Sequence, residues 1–296
     1  PEAVPPVGGK IAVVGDLLDR EQVRRALEGV TSVVHLAARV HSRPEGIGDP
    51  GSACRRINVD GTTALLDVSI GAGVKTFVYI SSVKAVADTS ETVLTAQTLA
   101  EPTDAYGASK LEAERHVQST AMKEGLAASV LRLPAVYGPG MKGNMTRLFW
   151  AVERGLPLPF GLIRNRRSFV YVGNVVAAIQ ALLASATAAH QTFYVSDGED
   201  LSTPELIEQI GVALGKRPRM LPVPAAVFGA TLLFGGLLSR ITPFHLTVDS
   251  LSAVVGSLFV DSSTLREVTG FEAPFSVDKG MSLTAEWYKK IVGADR

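Results

Sequence analysis

Cysteine is almost missing from this chain: Cys54 is the only one in 296 residues. One thiol excludes an intramolecular disulfide framework and fits a reducing compartment, taken here as the cytoplasm. Cys54 itself reads as a small buried or half-buried residue rather than a catalytic thiol. Surplus charge is missing too, because 29 basic and 29 acidic residues cancel. A nucleic-acid partner is therefore not expected, and no basic tract supplies a local footprint for one. The start, Pro1-Glu2-Ala3-Val4-Pro5-Pro6, lacks an initiator methionine and the basic-then-apolar pattern of a secretory signal; it reads as the start of a fragment or a processed product. Internal repeats, low-complexity tracts and a metal site are not expected either. One long uncharged run is present, Met220 to Ser239. It approaches the roughly 20 residues that span a bilayer. Pro222 and Pro224 break its first turn, so the apolar stretch Ala225 to Leu238 reads as a buried or groove-lining helix rather than a transmembrane span. Peripheral membrane contact through it is the alternative.

What is present is core material: 46% of the residues are hydrophobic, ample for one large domain or two coupled lobes. Lys10 to Val14 is an apolar run closed by Gly15-Asp16, and reads as a buried strand. Asp19 suits an N-cap, with Gln22 at the capping-box position, for a helix that stops at Gly29. Thr31 to Ala38 is β-rich, a helix spans about Cys54 to Ile70, and Thr76 to Ile80 is a strand ending in Ser81-Ser82. A helix opening at Asp104 and stopping near Gly125 precedes the strand Ala128 to Leu133. Further on, Asn144 to Glu153 reads as a helix, Arg167 to Val172 as a strand, Val175 to Leu183 as a helix and Thr192 to Ser196 as a strand. Pro204 suits N1 of a helix through Leu214, capped by Thr203. Strands alternating with helices, each strand almost continuously apolar, predict an α/β fold with a parallel sheet covered on both faces. Ligands of such sheets bind beyond the carboxyl ends of the strands, where Asp16, Leu36 to Ala38, Ser81-Ser82 and Pro134 to Tyr137 fall.

The chemistry concentrates at Tyr106 and Lys110. Four apart on a helix, they share a face. A tyrosine titrates near pH ~10, and an ammonium group beside it favours the phenolate, so the pair can serve as a general acid/base for alcohol and ketone chemistry. The spacing occurs by chance on many helices, but the strand ends aimed at the same edge raise its weight.

The motif series then identifies the chain with a family. Gly15-Asp16-Leu17, Val33-Val34-His35-Leu36-Ala37-Ala38, Asn58-Val59-Asp60-Gly61-Thr62, Phe77 to Ser82, Tyr106-Gly107-Ala108-Ser109-Lys110 and Leu131 to Gly140 occur in this order. Together they resemble the extended short-chain dehydrogenase/reductases, and more closely their NAD-dependent nucleotide-sugar epimerases and dehydratases. Asn165-Arg166-Arg167-Ser168 and Val195 to Thr203 look like bacterial members that act on UDP-N-acetylhexosamines in surface-polysaccharide pathways.

The resemblance implies a Rossmann-like doubly wound sheet, over residues 1–139 and 167–198, and a smaller substrate lobe over 140–166 and 199–296. It implies NAD as cofactor, with NADP the alternative, a UDP-sugar as substrate, and a homodimer through the helices of Asn58 to Ile70 and Tyr106 to Met122. It assigns Tyr106 as acid/base, Lys110 as its partner and a ligand of the nicotinamide ribose, and Ser82 as a hydrogen-bonding partner of the sugar hydroxyl. Ser81 reads rather as a strand-end cap. Asp16 and Leu17 would lie against the adenine, and Leu36, Ala37 and Ala38 under the cofactor, beside Ile80. His35 would pack there, and Asn58 would hold the cofactor loop or cap its own helix. Pro134 and Val136 would touch the nicotinamide. Asn144 and Met145 would lie near the diphosphate, Phe160 would pack on the uracil or in the core, and Arg167 would clamp a phosphate or be a surface charge.

Three departures stand out. The family's opening strand, glycine-rich turn and helix, which hold the pyrophosphate, have no counterpart: there is no G-x-G-x-x-G, and the fold is expected to lack its first β-α-β unit. Asn174 stands where many relatives have aspartate. No second arginine lies near Leu251 to Val255. The expected reaction is epimerisation at C4 of a UDP-hexose or UDP-N-acetylhexosamine through a 4-keto intermediate. The rivals are an NADPH-dependent reductase of a 4-keto-6-deoxy sugar nucleotide, a sterol or 3β-hydroxysteroid dehydrogenase, and a catalytically dead Rossmann-like binding protein.

Overall fold

The computed structural model describes residues 14–40, 50–224 and 254–294. The expected strand Lys10 to Val14, apart from Val14, and the apolar stretch Ala225 to Leu238 lie outside the described residues. No helix among the described residues is long and apolar enough to cross a membrane. The chain divides into two compact units.

The first unit draws on Pro1–Val86, Leu99–Arg132 and Ile179–Phe193. Its four-stranded sheet has the order β1-β2-β3-β7, with β1 at Ser32–His35, β2 at Thr76–Ser82, β3 at Ala127–Leu133 and β7 at Thr192–Tyr194. β1 and β2 run parallel, with Val33 opposite Phe77 and His35 opposite Tyr79. The first helix, α1 (Arg20–Ala26), starts where expected, with the Asp19 carboxylate accepting the Glu21 and Gln22 amides. The helix expected from Cys54 begins earlier. It runs as α2 (Pro50–Arg55), one π-helical turn (Arg56–Asp60) and α3 (Gly61–Gly71), and a proline suits such a start. The 20-residue helix α4 (Ala105–Glu124) is capped by Asp104 and stopped by Gly125 in the left-handed region (φ 72°), a conformation open to glycine. Its buried positions Lys110, Ala113, Glu114, Val117 and Ala121 form one stripe at helical spacing, so a cation and an anion sit within an otherwise apolar face. The core beneath is made by Phe77, Tyr79, Leu66, Val117 and Val130, all fully buried.

The second unit draws on Ala87–Thr98, Leu133–Ala178 and Tyr194–Arg296. β4 (Ala135–Tyr137) pairs parallel with β6 (Arg167–Tyr171), which pairs antiparallel with β8 (Asp200–Leu201). β5 (Pro157–Leu158) pairs with β9 (Arg219–Met220). The helices are α5 (Asn144–Glu153), α6 (Val172–Ala184, which continues past this unit), α7 (Thr203–Leu214), α8 (Ser263–Thr269) and α9 (Val277–Ala294). Phe149, Leu158, Ile207, Ile210 and Met281 centre its core. The expected cap of α7 shifts by one residue. Ser202 is the N-cap, because Glu205 then falls at N3 and completes a reciprocal capping box. The Thr203 hydroxyl donates instead to the Val254 carbonyl.

Asn174 acquires a structural reason. Its amide donates to Asp197 Oδ1 (2.7 Å) and to the Phe275 carbonyl (2.8 Å), while its oxygen accepts the Phe275 amide (3.0 Å). Asp197 also accepts from the Tyr137 hydroxyl and the Tyr171 amide. An aspartate at 174 would set a second carboxylate against Asp197 and could not donate to either acceptor.

Candidate active site

In the first unit, the end of β2 and the first turns of α4 bring Ser82, Tyr106 and Lys110 together. Asp104 positions this helix start, one carboxylate oxygen accepting the Gly107 amide (2.6 Å). Tyr106, in the first turn, is half-buried. Burial pushes its phenol above the ordinary range, and a hydrogen bond from Ser82 and the charge of Lys84 pull it back. Ser82, half-buried, also caps the short turn Val83–Ala85 by accepting the Lys84 amide (3.2 Å). The cap expected of Ser81 thus belongs to Ser82, while the Ser81 hydroxyl is buried with no partner among the described residues.

Lys110 is 2% exposed. Its ammonium donates to the Ile80 carbonyl (2.6 Å) and lies 4.1 Å above the Tyr79 ring. Burial lowers it to about 8, partly opposed by Glu114, which is one turn on and paired with Arg132 (2.7 Å). An ammonium at the end of β2, with an unpartnered hydroxyl beside it, suits a polar ligand such as a ribose. His35 is buried, pushed down to about 4 first by burial and then by Lys110, and hydrogen-bonded to Thr62 (2.8 Å). It is therefore neutral and packed against Phe77 and Tyr79.

Asn58 is fully buried in the π turn. Its amide grips the Arg39 peptide at both ends, accepting from N (2.7 Å) and donating to O (3.0 Å), and donates to Ser109 (2.9 Å), whose hydroxyl returns to the Tyr106 carbonyl (2.7 Å). The side chain thus ties the loop after β1 to the helix of Tyr106 and does not cap its own helix. Leu36 and Ala37 stand exposed at the end of β1, with Ala38 half-buried. Asp16 is exposed and turns back on the Leu18 amide (3.0 Å), while Leu17 packs against the core.

In the second unit a cavity of about 210 Å³ is lined by Val136, Lys142, Asn144, Met145, Arg167 and Thr203 among others. Pro134 is buried between β3 and β4. Arg167 is 9% exposed and donates to the Gly256 carbonyl (2.9 Å); burial lowers it to about 10, so it is still a cation at neutral pH. Its neighbour Arg166, just before β6, is exposed instead: it pairs with Asp200 (2.9 Å) and covers the Phe259 ring. The surface reading therefore fits Arg166 and not Arg167. Phe160 is 3% exposed and packed in the core of this unit.

Several neighbours of these groups were not singled out by sequence reasoning. Lys142 supplies a second cation to the Arg167 cavity, and Lys84, Asp104 and Glu114 supply charge around Tyr106 and Lys110. Spacing alone offered a signal for Asp104, an N-cap three residues before Gly107, and for Glu114, one turn after Lys110.

Residues 4–195 match the NAD dependent epimerase/dehydratase family. The chain is similar to UDP-glucose 4-epimerase of Vibrio cholerae, 35% identical over 281 residues, with 94% of this chain and 83% of that one covered. It is 28% identical over 284 residues to N-acetyl-alpha-D-glucosaminyl-diphospho-ditrans,octacis-undecaprenol 4-epimerase of Escherichia coli O157:H7, covering 94% and 83%. Among solved structures, MoeE5 in complex with UDP-glucuronic acid and NAD superposes with a TM-score of 0.72 at 25% identity, covering 94% of this chain and 85% of that one. The chain therefore belongs to the NAD dependent epimerase/dehydratase family and is an NAD-dependent enzyme of that family.

Proposed function

We propose that the chain epimerises C4 of a UDP-hexose or UDP-N-acetylhexosamine through a 4-keto intermediate. The observation that carries this is the cluster of Ser82, Tyr106 and Lys110 at one strand end, with the Lys110 ammonium fixed on the Ile80 carbonyl at the end of β2 and Ser82 favouring the ionised form of the Tyr106 phenol. NAD, when bound, supplies a hydride acceptor at C4 and a hydride donor for the return. Lys110 and Ser81 would hold its ribose, and Asn58 would keep the loop after β1 in place beneath it. Pro134 and Val136 would touch the nicotinamide, and Asp16, Leu17, Leu36, Ala37 and Ala38 would serve the adenosine side.

Tyr106 takes the proton of the C4 hydroxyl and later gives it back. Its raised pKa must fall for the first of these steps, and two groups favour the phenolate: Ser82 by donating to it, and Lys84 by its charge. In the second unit, Arg167 and Lys142 would meet the diphosphate, with Asn144 and Met145 beside it. An arginine held by a backbone carbonyl on one nitrogen keeps its other donors for phosphate oxygens.

Tyr106→Phe tests the reading. Turnover of UDP-glucose and of UDP-N-acetylglucosamine should disappear, while UDP-sugar binding by calorimetry should stay within about twofold to threefold of the wild type. Retained turnover removes Tyr106 from the chemistry. Net consumption of NADPH with a 4-keto sugar nucleotide, in place of NAD recycling, would assign the reductase instead.

A further inference from the structure

Lys84 touches the proposed machinery three times. Its amide donates to the Ser82 hydroxyl (3.2 Å), which leaves the hydroxyl proton of Ser82 to point elsewhere. Its carbonyl lies so close to α4 that a Cβ on Gly107 would overlap it. Its ammonium pairs with Asp104 (2.6 Å), and the other oxygen of that carboxylate caps α4 at Gly107. The turn after β2 and the first turn of α4 are thus held at a backbone contact and at a charge contact, and Tyr106, two residues after Asp104, feels both charges. Both side chains of the pair are partly exposed, 37% and 39%, so the pair sits at the rim rather than in the core.

We propose that Lys84 and Asp104 form a charge pair that holds Ser82 against the first turn of α4 and governs the proton on Tyr106. This rests on the reading of Tyr106 as the acid/base. Lys84 and Asp104 are positioning residues, acting through Tyr106. The groups acting on that phenol are Ser82 and Lys84 from the end of β2 and its following turn, Tyr79 from β2, Cys54 from α2, and Asp104 at the cap of α4, while the Lys110 ammonium one turn on is directed to the Ile80 carbonyl and the Tyr79 ring. Lys84 favours the phenolate and Asp104 opposes it. Removing one member of the pair should therefore move the phenol one way, and removing the other should move it the opposite way. A brace that acted only through packing would not produce opposed shifts.

The test uses Lys84→Met, which keeps the aliphatic stem, and Asp104→Asn, which keeps an oxygen to cap the helix. Titration of Tyr106 is read without turnover, as the ultraviolet phenolate absorbance of each protein minus that of its Tyr106→Phe counterpart, with circular dichroism to confirm the fold. The expected midpoint rises in Lys84→Met and falls in Asp104→Asn, each by roughly one unit. The acid limb of kcat/KM for the UDP-sugar should follow in the same two directions. Shifts of the same sign, or no shift in either variant, would overturn the proposal. Opposed phenol shifts in a protein that turns over no UDP-sugar would support the charge pair and remove the reaction instead.

Discussion

Lys110 is a costly residue for the fold to bury. An ammonium buried at 2% exposure and titrating near 8 in place of 10.5 is destabilising at neutral pH. Between about 8 and 10.5 the unfolded chain holds more protons than the folded one, so stability rises with pH across that window. Lys110→Met should therefore be inactive, and at neutral pH it should be more stable than the wild type by roughly 1–3 kcal/mol. The advantage should shrink as pH climbs toward 10, and thermal melts at a series of pH values would check it. An advantage that stays constant with pH would contradict the burial argument. At this scale the sequence was most legible where spacing encodes a face: Tyr106 and Lys110 are recognisable because helical period places them together. Lys84 was not legible, because its importance comes from a tertiary approach of its carbonyl to Gly107 that no local pattern announces.

Helix α4 is the element on which the candidate chemistry stands, and Gly107 is where it docks. A methyl group there would meet both the Lys84 carbonyl and Pro102, and backbone cannot yield as a flexible side-chain tip can. Gly107→Ala should lower stability by about 1–3 kcal/mol and lower kcat by more than tenfold, since a shift of α4 at its docking point displaces Tyr106 relative to Ser82 and costs the alignment that catalysis requires. Matched melting and turnover measurements would test this; an unchanged kcat would show that the docking is not critical. Helix existence was legible in the sequence almost throughout, from apolar period and from glycine stops such as Gly125. Boundaries were less so. The helix containing Asn58 starts at Pro50 and contains a π turn, whose widened geometry serves the Asn58 clamp rather than any propensity. Likewise Ser202 takes the cap expected of Thr203, because a reciprocal box with Glu205 outweighs a single proline signal.

For the whole molecule, the ordered motif series made the α/β architecture and the family legible, since each motif is a short strand end or helix start. What contiguous sequence hides is association at a distance. Ala87–Thr98 belongs with the second unit through the Ser90 amide on the Ser257 carbonyl and through the bridge of Leu94 to Val260, near the other end of the chain. Net charge also acts at this scale. With 29 charges of each sign, the protein carries no net charge to steer an anionic ligand, and under the proposed function recognition of the diphosphate would fall to Lys142 and Arg167 at contact range. Raising ionic strength from about 0.01 to 0.15 M shortens the screening length from roughly 30 to 8 Å. The kcat/KM for a UDP-sugar should change by less than about threefold over that range. A tenfold fall would reveal a steering field that the formal charge does not provide.

The double engagement of Ser82 gives its hydroxyl a direction. With one lone pair occupied by the Lys84 amide, the directions open to the O–H bond are narrowed before any ligand arrives, so on the proposed reading the site would need less organising by the sugar. On that reading, fold and reactivity meet in the same oxygen atom. Any redesign of this site toward a different ligand inherits that constraint, because a residue at 82 has to open a helical turn before it can do anything else.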